Sequence, residues 1–495
     1  MNRRMTTMAR RRPRRLLAAL VAGAALVAAL GAGCGQKKAK KDEAKKQIDD
    51  QDITRAVETE LILDDAVASH LVDVQTTDGI VTLSGSVDNI LGRDRAVAIA
   101  RAVKGVRSVV NKTEVSPAPR TDEEIRQDVL AALATDPAAD SYELDVAVSD
   151  GVVTLTGVVD SWQEKELSGQ VAKGVRGVKD LVNRIDVEYE TERSDAEIKA
   201  EVRRRLDTDV LVDAGLIDVT VQDGEVDLTG TVGSAAERAR ASADAWVAGV
   251  QSVDSSGLEI QWWARDEMKR KEKDAQLTDE KIEQAIRDAF LYDPRVFSFQ
   301  PQVEVEDGVV TLSGTVGSVS AKRAAGETAR NTHGVWRLRN LLRVRPETRP
   351  ADDVLAERVR DALQRDPYVE RHEVTVSVLN GKAYLYGAVD NRFEKSQATR
   401  VASGVDGVVE VRNSLTVAEE WTWKDDLEIQ QDVQQQVGWS PYVDAGDVTV
   451  TVTDGTVTLT GVVDSWYERR KAAENAWEGG ARDVRNLIEV KPEES

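Results

Sequence analysis

The chain has very few of the side chains that usually carry out chemistry. Among 495 residues there are one cysteine and three histidines, His70, His333 and His372. A single cysteine excludes an internal disulfide, and the histidines lie at unrelated positions without Cys/His metal spacing. We therefore predict no enzyme, no metal and no cofactor, and interpret the histidines as surface or satisfied core residues.

Basic residues are outnumbered as well. Lys and Arg total 66 against 87 Asp and Glu, which gives a formal net charge of −21. Because nucleic-acid binding depends on concentrated Lys and Arg, this balance excludes nucleic acid as a partner.

The first 33 residues are predicted to be a signal peptide. Seven arginines precede an apolar run at residues 16–32, whose 17 residues are short for a membrane-spanning helix. Cys34 follows directly, and LGAGCG resembles a bacterial lipobox, in which this cysteine would be diacylated. An ordinary cleaved signal and an uncleaved inner-membrane anchor are the alternatives.

Residues 34–48 form the predicted lipid-anchored tether. The segment is rich in Lys and Asp and poor in apolar residues, which is typical of a solvated linker. Contact of its lysines with anionic headgroups is the alternative. Gly35 follows the cysteine, which in enterobacterial-type lipoproteins favours export to the outer membrane.

The chain contains one short sequence motif that is repeated six times. An Asp-Gly or Asn-Gly pair is followed by alternating β-formers and a second glycine, as in DGVVTLTG at residues 150–157. The first glycines of successive copies lie 72, 73, 84, 73 and 74 residues apart. A period of this size predicts an array of small modules.

Each module is predicted to fold as α-β-β-α-β. Its first helix carries apolar residues at i, i+4 and i+8, as at Ile125, Val129 and Leu133, which buries one face. The Asp-Gly pair forms a two-residue hairpin turn that requires positive φ at both positions. A helical crossover to the third strand predicts a mixed three-stranded sheet with both helices on one face. The fold class is therefore α+β, as a tandem array of six modules.

The period also sets the predicted boundaries. The one long spacing places a charged linker between the third and fourth repeats, at residues 262–276. The repeats themselves are predicted at residues 49–116, 121–189, 194–261, 277–346, 351–418 and 424–491.

The repeated residues resemble the BON domain family of bacterial envelope proteins. The G-x-V-x-L-x-G run, the V-D-S-W-x-E segment and a later G-V-x-x-V-x-N run carry the resemblance over about residues 49–490. Repeat three departs from the pattern, with Val253, Asp254 and Ser255 in place of Val-x-Asn. The resemblance implies binding to phospholipid or envelope surfaces, and support of the envelope under osmotic or other stress.

Two functions follow as alternatives. The first is a non-enzymatic periplasmic lipoprotein, anchored to the outer membrane through Cys34, whose modules bind phospholipid or envelope proteins. The second is an extended spacer in the periplasm without intrinsic lipid affinity. Removing the seven signal-peptide arginines leaves a net charge of −28, and that charge favours the spacer, because an anionic membrane repels such a surface.

Aromatic residues just after the repeated motif are candidate contacts with a membrane or a partner. Trp162 and Trp466 open the second helices of repeats two and six, and we assign Phe393 of repeat five to the same position. Tryptophan prefers the membrane–water interface. The alternative is a staple that packs the helix entry against its own module.

Repeat four is the candidate for contact with anionic lipid. Residues 277–345 contain nine acids and ten bases, whereas residues 121–188 of repeat two contain fifteen acids and six bases. Cationic side chains are attracted to anionic headgroups. The candidates in its second helix and third strand are Lys322, Arg323, Arg330, Arg337 and Arg339. Ordinary variation among duplicated copies is the alternative.

Overall fold

The computed structural model describes residues 48–67, 69–136, 138–139, 144–189, 192–262, 277–369, 374–418 and 424–491. The predicted signal peptide, Cys34 and nearly all of the predicted linker lie outside these ranges. Residues 47–495 belong to one compact unit.

Each repeat begins with an amphipathic helix and places a second helix between its second and third strands. The first helices are α1 Asp50–Leu63, α3 Asp122–Thr135, α5 Asp195–Thr208, α7 Asp279–Phe290, α9 Asp352–Arg365 and α11 Asp426–Trp439. The second helices are α2 Ile90–Arg101, α4 Trp162–Lys173, α6 Ala235–Asp244, α8 Val319–Arg330, α10 Arg392–Gly404 and α12 Trp466–Glu478.

The strands of each repeat form a small mixed sheet in the order one, two, three. The hairpins are β1 Val72–Thr77 with β2 Ile80–Val87, β4 Leu144–Ser149 with β5 Val152–Val159, β7 Ile217–Gln222 with β8 Glu225–Val232, β10 Gln302–Glu306 with β11 Val309–Ser313 and β12 Thr315–Val316, β15 Val374–Leu379 with β16 Lys382–Val389, and β19 Val448–Thr453 with β20 Thr456–Val463. The third strands are β3 Ser108–Val115, β6 Asp180–Val187, β9 Ser252–Ile260, β13 Arg337–Asn340 with β14 Arg343–Val344, β17 Glu410–Asn413 with β18 Thr416–Val417, and β21 Asp483–Asn486 with β22 Glu489–Val490.

Pairing within the sheets confirms the predicted fold. In repeat one, β1 and β2 pair antiparallel, whereas β2 and β3 pair parallel across the helical crossover. Both helices cover the same face, where they enclose one core. That core includes Ile53, Val57, Leu61, Val81, Leu83, Ala96 and Ala100.

The hairpin turn has the predicted backbone. Asp78 and Gly79 adopt φ of 53° and 72°, and the turn pairs of the other repeats likewise have positive φ.

The second glycine of the repeated motif has a steric role. At Gly85, with φ of 104°, a Cβ would lie 2.0 Å from the carbonyl oxygen of Leu71. Only glycine fits so close to the neighbouring strand.

One aspartate ties each hairpin turn to the start of the first helix. Its carboxylate accepts hydrogen bonds from both turn amides in every repeat, at 2.7–3.0 Å. In repeat two the donors are Asp150 and Gly151, and the acceptor is Asp122. The residues that play the acceptor role are Asp50, Asp122, Asp195, Asp279, Asp352 and Asp426. The bond fixes the helix against the sheet and occupies amides that the turn leaves unpaired.

Repeats one, two and three contact one another in a closed cycle. The first residue of each second helix leaves its own repeat and packs on the next one. Ile90 lies in the core of repeat two, and Trp162 stacks on Trp246 of repeat three. Ala235 of repeat three completes the cycle in the core of repeat one.

Repeats four, five and six form a second cycle of the same kind. Val319 packs against the core of repeat five, and the Arg392 guanidinium lies 3.7 Å from the ring centre of Trp477 in repeat six. Trp466 closes the cycle against the core of repeat four.

Backbone hydrogen bonds join the two triplets in pairs. Most run from an N–H just before a helix-capping glycine to the last carbonyl of a first helix in the other triplet. A further bond, from Val210 to Asn331 at 3.1 Å, joins repeats three and four. Repeats one and six are joined by Lys104 to Trp439 at 3.2 Å, and repeats three and four by His333 to Thr208 at 3.0 Å. Repeats two and five exchange two such bonds, Arg176 to Arg365 at 2.6 Å and Asp406 to Thr135 at 3.4 Å.

This contact pattern is that of a dihedral hexamer, with two head-to-tail triplets joined by two-fold pairs. Here it is made within one chain. The extended arrangement assumed for the spacer is therefore wrong, because repeat one contacts repeat six, which is five repeats away in the sequence. Burial of apolar residues between repeats favours closure over extension.

We expect the change Asp122→Ala to expose the hairpin turn of repeat two. Losing two hydrogen bonds to a carboxylate costs about 2 kcal/mol, or roughly 30-fold in an opening equilibrium. Hydrogen exchange of the Asp150 and Gly151 amides should accelerate by about that factor. The control is Glu123→Ala, since Glu123 bonds the exposed Arg126 and leaves the turn alone. Equal exchange in both variants would show that the aspartate does not hold the turn.

Candidate functional site

Within the described residues, no cluster of three or more His, Cys, Asp and Glu side chains is arranged to hold a metal ion. His70 is exposed, whereas His333 is buried and donates its backbone N–H to the neighbouring repeat. His372 lies outside the described residues.

Trp162 lies between repeats. Its ring stacks on Trp246 with centroids 5.2 Å apart and planes 4° from parallel. The neighbouring Gln163 donates to the carbonyl of Trp246 at 2.7 Å. The side chain is half-buried by a neighbouring repeat, so its contact differs from both sequence interpretations, a membrane anchor and a staple within its own module.

Phe393 occupies a different position from the one predicted. Asn391 caps its helix as Ser161 caps the helix of Trp162, so Arg392 is the equivalent of Trp162 and Phe393 comes one residue later. Phe393 packs edge-on against Tyr368 of its own repeat, with centroids 4.8 Å apart. Alignment by the cap would have given this register, since Asn caps helices as readily as Ser.

Trp466 also faces another repeat. It packs against the core of repeat four, and the Arg469 guanidinium lies 5.3 Å from its ring centre. Its indole Nε1 is buried without a hydrogen-bond partner. The first positions of the second helices thus serve contacts between repeats.

The basic candidates of repeat four fall into two places. Lys322, Arg323 and Arg330 lie on its second helix. The Lys322 ammonium donates to the Leu342 carbonyl at 2.7 Å, so it is used within the repeat. Arg323 lies near Arg400 of repeat five, where it adds to the larger effect of burial in lowering the pKa of Arg400.

Arg337 and Arg339 lie instead on an exposed sheet edge. Their strand, β13, pairs only with β11, and Leu338 between them packs into the core. Their side chains therefore point away from the helices. Arg343 and Arg345 are also exposed and flank Val344, which packs against the same core. We call Arg337, Arg339, Arg343 and Arg345 the basic edge.

Acidic residues lie beside the basic edge and offset part of its positive charge. Glu304 and Glu306 of β10 alternate with the core residues Val303 and Val305, and they line a shallow concavity together with Arg339. The outermost strand itself carries only positive charge at its outward positions.

Arg337 of the basic edge is specific to repeat four, whereas Arg339 aligns with Arg412 and Arg485 of repeats five and six. Sheet register aligns Arg337 with the first residue of every other third strand. Those residues are neutral or acidic: Ser108, Asp180, Ser252, Glu410 and Asp483. A difference at an aligned, exposed position is not needed for the fold.

Sequence reasoning missed a recurring aspartate just after the first helix. In repeat one Asp64 pairs with Arg95 at 2.7 Å, and in repeat five Asp366 accepts from Gln397 at 2.6 Å. In repeat three Asp209 pairs with Arg240. Each pair ties the end of one helix to the middle of the other. Of these three aspartates only Asp366 precedes a proline, so the Asp-Pro loops in the sequence marked the position in just some of the repeats.

An acidic cluster lies where repeats one and six meet. Glu60 of the first helix faces Glu478 and Lys471 of repeat six, and Lys471 also lies 3.5 Å from Glu474. Burial raises the pKa of Glu60 to about 7, with Glu478 and Asp64 adding to the effect against Lys471. Lys471 faces all three glutamates, and Arg470 also lies 3.8 Å from Glu474. Ionisation of Glu60 at alkaline pH therefore adds repulsion between carboxylates to this contact.

None of the helices in the described ranges is long and apolar enough to span a bilayer.

Comparisons with known proteins agree with this fold. The BON domain model matches residues 49–117, 121–189, 194–261, 278–346, 351–419 and 425–492. Osmotically-inducible protein Y of Escherichia coli is 34% identical over 143 residues, covering 28% of this chain and 71% of that protein. Outer membrane lipoprotein DolP of Haemophilus influenzae is 34% identical over 119 residues, covering 23% of this chain and 60% of that protein, which is less than two thirds of its length.

Among solved structures, the chain is similar to the C-terminal domain of CdsD, a structural protein of the type III secretion system of Chlamydia trachomatis. The identity is 15% and the TM-score 0.13, with 46% of this chain and all of that chain covered. A TM-score this low is no basis for an inference about fold or function.

The cluster at repeats one and six predicts a pH dependence. A carboxyl whose pKa is higher in the folded than in the unfolded state binds its proton more tightly when folded. Its favourable contribution to stability is therefore fully present below about pH 4.5 and is lost as the pH rises through about 7. We expect Glu60→Gln to raise the unfolding temperature at pH 8 and to increase the free energy of unfolding there by up to about 3 kcal/mol. The variant's stability should also depend less on pH between pH 6 and 8.

The matched control is Glu58→Gln, which changes an exposed glutamate of the same helix. Thermal unfolding of both variants and the unchanged chain at pH 6 and pH 8 provides the readout. A Glu60→Gln profile that follows the unchanged chain would contradict the assignment.

Proposed function

Because the chain belongs to the BON domain family, we propose that it is a non-enzymatic envelope lipoprotein that binds a phospholipid surface or envelope proteins. It supports envelope integrity under osmotic or other stress. The names of the relatives, an osmotically inducible protein and an outer membrane lipoprotein, support an envelope role. The resemblance around Cys34 to a lipobox supports a periplasmic protein anchored to the outer membrane. The intact mass of the membrane-extracted protein would reveal an acylated Cys34.

The basic edge is the observation that carries lipid binding. The chain is strongly acidic, so most of its surface is repelled by anionic lipid. Arg337, Arg339, Arg343 and Arg345 concentrate the opposite charge on one exposed strand, at about 1 kcal/mol each near an anionic surface. In this proposal the packed repeats form a body that the tether holds near the membrane and that the basic edge orients.

The aromatic candidates have a smaller part in this proposal. Trp162 and Trp466 are half-buried between repeats, so a membrane would have to open those contacts to reach them. Phe393 packs on Tyr368. We therefore place the lipid contact on the edge of repeat four.

A scaffold without lipid affinity is the second candidate. Its support is the net charge of −21, which an anionic membrane repels, and the closed packing of the repeats. Such a protein would bind envelope proteins and would not bind vesicles.

Charge reversal of the basic edge tests the proposal. The chain from residue 35 onward, which lacks Cys34, is mixed with vesicles of phosphatidylcholine alone or with added phosphatidylglycerol. We expect co-sedimentation with the anionic vesicles only. Arg337→Glu with Arg339→Glu should weaken it by roughly 30-fold, since about 1 kcal/mol is lost at each site.

The control is Arg412→Glu in repeat five, at the position aligned with Arg339. There Glu410 already pairs with the arginine, at 2.5 Å. Equal sedimentation with neutral and anionic vesicles would refute lipid binding by charge. A double variant that binds like the control would remove repeat four as the site.

A further inference from the structure

A polar cavity of about 290 Å³ lies between repeats three and four. Both helices of each repeat line it, with Thr208 and Asp244 from repeat three and Tyr292 and Asn331 from repeat four. These residues lie in or directly after the C-terminal turns of four helices. Helix C-termini carry partial negative charge, so their convergence favours a cation.

The charged side chains of the cavity leave a surplus of acceptors. Four guanidiniums and five carboxylates line it. Each guanidinium already has a carboxylate partner: Arg204 with Asp288, Arg205 with Asp244, Arg240 with Asp209, and Arg295 with Asp293. Glu327 is the fifth carboxylate and is exposed.

Asp244 is a cavity acceptor that remains incompletely bonded. Its side chain is 3% exposed, and its Oδ2, like that of Asp288, is buried without a hydrogen-bond partner. A buried carboxylate oxygen left in this state costs free energy, which a donor in the adjoining cavity would recover.

The fold itself does not require an acid at this position. Counted back from the glycine that caps the second helix, the equivalent residues of the other repeats are all buried, and none is charged. They are Ala100, Ala172, Ala329, Ala402 and Asn475. Repeat three alone places a carboxylate there, beside the cavity.

We propose that this cavity binds a small organic cation with primary ammonium groups, such as a short diamine, whose ammonium donates to Asp244. An ammonium has three N–H donors and suits a site that combines carboxylates with helix C-terminal carbonyls. The Tyr292 ring lies in the same wall and packs against the Arg205 guanidinium, which lies 4.5 Å from the ring centre.

Binding there joins the two triplets. The lining comes from repeat three of one triplet and repeat four of the other, so a bound diamine stabilises their contact. Ligands that bind only the assembled form increase its stability by mass action. The cation would thus act on the junction between the two halves of the chain.

Calorimetric titration of putrescine into the chain from residue 35 onward tests the proposal. We expect saturable binding at pH 8 that persists when NaCl or MgCl₂ of equal ionic strength is present. Asp244→Asn should weaken it at least tenfold, and the variant should fold because repeat six carries Asn475 at the equivalent position. Asp207→Asn, an exposed change on the same first helix as Arg204, should leave binding unchanged.

Binding should also weaken several-fold from pH 8 to pH 6. Burial raises the pKa of Asp244 to about 7, with Asp209 adding to the shift against Arg240 and Arg205, and the protonated carboxyl carries no charge. Absence of saturable heat, full competition by MgCl₂, or equal binding by Asp244→Asn and Asp207→Asn would each overturn the proposal.

Discussion

The arrangement of the six repeats depends on one contact, in which the second helix of a repeat begins on the surface of another repeat. A module of about 70 residues buries only about 60% of the surface its unfolded chain exposes, so it needs further burial for stability. Ile90 provides it by entering the core of repeat two, and Trp466 by covering the core of repeat four. Because each contact runs head to tail, three of them close a cycle, and two cycles then join through paired backbone hydrogen bonds.

This closure decides which surfaces are left for partners. The helices and the aromatic side chains at their starts are used between repeats, whereas the outer sheet faces and edge strands stay open. Variation among the copies matters on those open surfaces. Repeat four replaces a neutral or acidic position by Arg337, and the closed packing leaves the arginines of this basic edge exposed.

The sequence predicted the module well because local rules act within it. The Asp-Gly turns, the apolar helix stripes and the capping glycines each follow from a few neighbouring residues, and the structure confirms them. The aspartate that begins each first helix was visible in all six copies. Its role was missed because its partners lie 28 and 29 residues away, where no periodic pattern connects them.

Contacts between repeats could not be predicted in the same way. The contact position is Ile90, Trp162, Ala235, Val319, Arg392 or Trp466 in the successive repeats, so no residue type marks it. The same diversity explains the misplaced Phe393, since an aromatic residue was expected where Arg392 lies. The pairing of the repeats depends on shape and burial between residues that are far apart in the sequence, and local sequence patterns do not encode such contacts.

Photo-crosslinking from Lys104 tests the closed arrangement most directly. A photoreactive amino acid at this position of repeat one lies beside the helix end of repeat six, where the Lys104 ammonium donates to the Gly438 carbonyl at 2.9 Å. Closure predicts a cross-link within the monomer to the peptide that contains Gly438 and Trp439. Cross-links confined to repeats one and two, with none to repeat six, would contradict it.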